Sequence, residues 1–94
     1  MNEDRLWAAR NAIGEVDRDM AALFVKRMEA VRQIAAYKRE QGLPILDAAR
    51  ERDVIRRNLA YIEDEALRDL YAQFIRGVMD ISKQYQRRLM EADA

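Results

Sequence analysis

The sequence predicts an all-α fold of three helices, the first of them very long. Turn formers are scarce: there are three Gly and one Pro in 94 residues, whereas a β-rich chain needs a turn about every 8–12 residues. Apolar residues recur every seven positions across roughly the first forty, the spacing of a long helix with a packed seam. The final third carries an apolar stripe that steps by three and four, the period of an amphipathic helix.

The first helix runs from Glu3 to Glu40. Leu6, Ile13, Met20, Arg27 and Ile34 form one heptad lane, and Ala9, Val16, Leu23, Ala30 and Tyr37 fill the other. Gly14 costs about 1 kcal/mol inside it without ending it. Gln41-Gly42-Leu43-Pro44 stops the helix in the Gly-then-Pro order of helix ends. Asp47 suits an N-cap, and a second helix follows from Ala48 to Ala60 with Val54, Ile55 and Leu59 on one face. Tyr61-Ile62-Glu63-Asp64-Glu65 is a polar break without Gly or Pro. The third helix runs from Glu65 to Met90, with Leu67, Tyr71, Phe74, Val78, Ile81, Tyr85 and Leu89 expected as its core stripe. The whole chain, 1–94, reads as a single domain with no internal repeat.

Length bears on assembly. A helix of about 38 residues is roughly 57 Å long at 1.5 Å per residue. A compact globule of this size is only about 30–35 Å across. The apolar lanes continue past mid-length, so the overhang needs cover, and a second copy of the chain is the simplest source. The expectation is a homodimer.

Composition narrows the chemistry. Basic and acidic residues balance at 17 each, and there is no Cys and no His. A balanced charge argues against nucleic acid as a partner. Disulfides, thiol nucleophiles, imidazole bases and ordinary zinc sites are excluded, and a carboxylate-only metal site has no motif behind it. No apolar run approaches a membrane span. Met1-Asn2-Glu3-Asp4-Arg5 is charged and lacks a signal-peptide core, so the expected location is the cytoplasm.

Several charged and polar residues stand where a core is expected. Arg27 occupies an apolar lane, and a buried cation there requires a partner. It either snorkels or pairs with a Glu, or it meets a ligand. Lys38 lies 11 residues on and close in angle, so the two could flank one cavity about 16 Å long. Arg10 lies about 25 Å before Arg27 along the axis. It could reach the same cavity only from an antiparallel second copy. In Asp47-Ala48-Ala49-Arg50-Glu51-Arg52, Asp47 caps, Glu51 favours the helix dipole and Arg50 can pair locally. Ser82 and Gln86, four apart, continue the lane of Ile75 and Met79. They are either surface polarity or polar groups on the apolar wall of a pocket.

Taken together, Arg10, Arg27 and Lys38 on a long helix, then Asp47-x-x-Arg50-Glu51, then Ser82-x-x-x-Gln86 resemble the all-α chorismate mutase family over about residues 4–90. The resemblance implies an intertwined dimer with two active sites built from both chains. The implied reaction is the Claisen rearrangement of chorismate to prephenate, on the route to phenylalanine and tyrosine, with no cofactor and no metal. By the same resemblance, Arg27 holds one substrate carboxylate, and Arg10 of the other chain clamps the second. Lys38 and Gln86 donate to the ether oxygen. Glu51 and the Asp47 backbone hold the ring hydroxyl, and Arg50 and Ser82 complete the carboxylate and ring contacts. Two alternatives stand beside it. One is an isochorismate pyruvate lyase, which resembles the same fold. The other is a non-catalytic helical dimerisation module, which explains the heptads but not Arg27 in the core lane.

Overall fold

Each helix begins on a local chemical signal, and the first two end on one. The computed structural model describes residues 3–92. It contains α1 (Glu3–Gln41), α2 (Ala48–Leu59) and α3 (Glu65–Ala92), within two residues of the expected limits. Glu3 and Asp4 in the first turn of α1, and Lys38 and Arg39 in the last, complement the helix dipole. Gly14 lies in open space inside α1 and does not interrupt it.

Gly42 closes α1 at φ 66°, the left-handed region where glycine carries no Cβ penalty. The Leu43 N–H donates to the Lys38 carbonyl at 2.8 Å, and the Gly42 N–H to that of Arg39 at 3.3 Å. This double closure is the Schellman arrangement. The Lys38 ammonium then donates to the Ile45 carbonyl at 2.7 Å, pinning the connecting loop to the helix it leaves.

Asp47 caps α2 as expected: its backbone is extended and its Oδ1 accepts from the Arg50 N–H at 3.0 Å. Val54, Ile55 and Leu59 are half-buried on one face. The break before α3 works without glycine. The Tyr61 and Ile62 N–H groups donate to the Asn58 and Leu59 carbonyls, both at 3.1 Å, which tightens the end of α2. Asp64 then caps α3, its Oδ1 accepting from the Ala66 N–H at 3.0 Å. No non-glycine residue among those described adopts a positive φ.

The chain divides into two units. The first, residues 3–30, is α1 alone. Its heptad residues Leu6, Ile13, Val16, Met20 and Leu23 are exposed, Ile13 at 59% and Leu23 at 63%. The second, residues 31–92, holds the rest of α1 with α2 and α3. Its buried apolar residues are Val31, Ala35, Ala72, Ile75 and Met79.

The core stripe of α3 differs from the expected one. Leu67, Phe74 and Ile81 are exposed, while Tyr71, Val78, Tyr85 and Leu89 are half-buried. The buried lane is the adjacent one: Ala72, Ile75, Met79, Ser82 and Gln86. Both lanes step by three and four, and the expected one carries the larger apolar groups. Burial follows the face turned to the rest of the unit rather than summed side-chain hydrophobicity. The exposed lane still carries order, since Tyr71 and Phe74 stack with ring centroids 5.7 Å apart. No helix among the described residues is long and apolar enough to cross a membrane.

Candidate functional site

Six of the eight expected site residues fall in the second unit. Lys38 sits in the last turn of α1, Asp47, Arg50 and Glu51 at the start of α2, and Ser82 and Gln86 on α3. Arg10 and Arg27 lie on α1 in the first unit, Arg10 exposed and Arg27 half-buried.

Ser82 and Gln86 are only 6% exposed each, on the same lane as Ile75 and Met79. The pair is therefore buried and not plain surface polarity, though neither residue borders either of the clefts described below. The Ser82 hydroxyl donates back to the Val78 carbonyl at 2.8 Å. The Gln86 amide oxygen is buried without a hydrogen-bond partner. Leaving such a group unsatisfied costs about 1–3 kcal/mol, which a bound molecule or a second chain can relieve. Rotation about the terminal bond exchanges oxygen and NH₂, so the same spot can be served by a donor.

Lys38 spends one of its three donors on the Ile45 carbonyl, two residues before Asp47. That contact joins the last turn of α1 to the approach to α2. The Asp47 side chain caps α2 through its Oδ1. Arg50 pairs locally with Asp53 at 3.5 Å and keeps a side chain 60% exposed. Asp53 also meets Arg56 and Arg57. An exposed pair of this kind contributes little to stability.

Glu51 is half-buried and reaches α3. Its Oε2 lies 2.9 Å from the Lys83 Nζ, and its Oε1 accepts from the same ammonium at 3.2 Å. Asp80 flanks Lys83 at 3.4 Å. The hydrogen bond it donates to Glu51, opposed in part by desolvation, raises the Lys83 pKa above its usual 10.5. A raised pKa on a cation means the folded state favours the charged form. The stabilisation is therefore complete below about pH 10.5 and is lost only as pH climbs through the folded value. Sequence reasoning missed this pair. Asp80 and Lys83 are neighbours three apart on one helix, but Glu51 is 32 positions away and no local period connects them.

The described residues of the second unit form at least two clefts. One, of about 110 Å³, is bounded by Arg32, Ala35, Ala36, Arg39, Leu89 and Met90 and holds none of the eight residues. A second, of about 310 Å³, lies between α2 and α3 and includes Glu51, Arg52, Ile55, Arg76, Met79 and Asp80. Of the eight, only Glu51 borders it. No group of Asp and Glu suited to a metal ion occurs among the described residues.

This arrangement offers hydrogen-bond donors and cations on helical supports, with a buried amide oxygen facing no partner. It suits the holding of a small polar anion rather than nucleophilic attack. Comparison with known proteins gives a family model described as chorismate mutase type II, which matches residues 9–87. A 3-dehydroquinate dehydratase from Pyrobaculum aerophilum is 42% identical over 52 residues, covering 55% of this chain and 17% of that protein's length. No solved structure matches.

Proposed function

Because this chain belongs to the chorismate mutase type II family, we propose that it catalyses the rearrangement of chorismate to prephenate. The geometry that supports this is the buried Ser82–Gln86 pair on the lane of Ile75 and Met79. The reaction is pericyclic: one C–O bond breaks as one C–C bond forms. It needs no nucleophile and no proton relay, so a chain without His or Cys can perform it. The protein must hold a flexible dianion in its compact diaxial conformer. It must also stabilise the negative charge that grows on the ether oxygen.

In this reading Lys38 and Gln86 donate to the ether oxygen. Glu51 and the Asp47 backbone receive the ring hydroxyl, while Arg50 and Ser82 complete the carboxylate and ring contacts. Arg27 clamps one carboxylate and Arg10 of a second chain clamps the other, since forked guanidinium groups match carboxylates. Arg50 must then exchange its local pairing with Asp53 for the substrate, a small loss at an exposed site.

The active form is a homodimer. Leu6, Ile13, Val16, Met20 and Leu23 form an uncovered seam on a unit that contains no second element of this chain. A seam of this kind favours a matching copy. Sedimentation at micromolar concentration is expected to give about twice the 11.0 kDa chain mass. A well-folded monomer would exclude both the dimer and the shared site.

The decisive assay follows chorismate absorbance in a buffered cuvette. Enzyme depletes it and the product is prephenate. Pyruvate from isochorismate would instead identify a lyase, and no turnover of either would leave a dimerisation module.

A further inference from the structure

Lys83 has no role in the chemistry above, yet its ion pair with Glu51 ties α3 to an expected site residue of α2. Lys83 follows Ser82 directly on α3, and Glu51 stands in the first turn of α2. Both partners are largely screened, at 19% and 26% side-chain exposure. The ammonium donates to Oε1 at 3.2 Å and lies 2.9 Å from Oε2, so it faces both carboxylate oxygens and constrains the carboxylate's rotation as well as its position.

We propose that Lys83 is a positioning residue, which orients the Glu51 carboxylate and offsets its charge so that Glu51 can accept the ring hydroxyl of a dianionic substrate. The inference rests on the mutase reading, in which Glu51 meets that hydroxyl. The electrostatic need is plain. A half-buried carboxylate beside a substrate with two carboxylates repels it, and a like charge in low dielectric weakens binding. An ammonium 2.9 Å away cancels that repulsion, while the carboxylate keeps lone pairs to receive a hydroxyl proton. Asp80 is 66% exposed, too solvated to compete fully for Lys83. Arg52 and Arg76, which border the same cleft as Glu51, add positive charge around it.

The test is steady-state kinetics on the full chain with Lys83→Met, Lys83→Arg, Glu51→Gln and the Lys83→Met/Glu51→Gln double variant. Two substrates are compared: chorismate, and its analogue with hydrogen in place of the ring hydroxyl. Losing a hydrogen bond to a charged group lowers affinity by about tenfold or more. Lys83→Met is expected to raise KM for chorismate about tenfold with a smaller change in kcat, and Lys83→Arg to restore most of the loss. The Lys83→Met penalty should disappear in the Glu51→Gln background and on the hydroxyl-free analogue. If Lys83→Met lowers only the melting temperature and leaves KM unchanged, the pair merely fastens α2 to α3 and the proposal fails. An equal penalty on both substrates also overturns it. Where Lys83→Met does not fold, Lys83→Gln, a neutral donor, carries the same comparison. Wild-type turnover of chorismate with an unaffected Lys83→Met refutes the positioning role alone. A wild type inert toward chorismate refutes the mutase reading and the positioning role with it.

Discussion

Gln86→Ala is expected to lower chorismate turnover by two to three orders of magnitude, with a smaller effect on KM. Charge on the ether oxygen exists mainly in the transition state, so a donor aimed there acts on kcat more than on binding. Removing one preorganised donor typically costs about 2.7–4 kcal/mol at that point. Gln86 is preorganised by burial: it is 6% exposed and its lane is held by Ile75, Met79 and Ser82. Lys38→Ala should match it in kcat. Its contact with the Ile45 carbonyl also adds about 0.5–1.5 kcal/mol of stability, so its kinetics must be read well below its melting temperature. Gln86→Glu separates donation from shape. A carboxyl donates only when protonated, so this variant should gain activity as pH falls through the new carboxyl's pKa, while the wild type shows no such acid requirement. Full turnover by Gln86→Ala would mean that α3 presents another residue to the ether oxygen.

Why some of this was legible in the sequence and some was not comes down to the range over which each signal acts. The ends of α1 and α2 depend on neighbours a few positions apart. Gly42 supplies the positive φ and Asp47 the side-chain oxygen, so both boundaries could be read directly. The break before α3 was also visible, though not its device, because Asp64 and two tightened carbonyl bonds replace the usual glycine. The α3 stripe was misread for a different reason. Two adjacent lanes fit the helical period, and the one with Leu67, Phe74 and Ile81 is the more hydrophobic. The buried lane ends in Ser82 and Gln86, polar groups that hydropathy alone assigns to the surface. Their four-residue spacing along the line of Ile75 and Met79 was the correct clue. Glu51–Lys83 depends on α2 folding against α3, and no spacing in a linear sequence encodes it.

Equal mixing of two dead variants, Arg10→Ala and Arg27→Ala, is expected to restore about a quarter of wild-type activity. The premise is geometric. Both residues lie on one uninterrupted helix within the first unit, about 25 Å apart along its axis at 1.5 Å per residue. A substrate of chorismate's size cannot bridge them on one rigid rod, so each carboxylate clamp must serve a different site. Each variant alone should lose most activity, since one carboxylate is left without its forked partner. Unfolding the two together and refolding at equal amounts gives about half mixed dimers. In each mixed dimer one site receives an intact Arg27 from one chain and an intact Arg10 from the other, while the second site receives both defects. Half the dimers with one good site of two gives about one quarter. If both arginines served a site within their own chain, every site would keep a defect and mixing would restore nothing. Mixed dimers identified by native mass spectrometry, with no return of activity, would refute the shared site and leave the dimer a purely structural device.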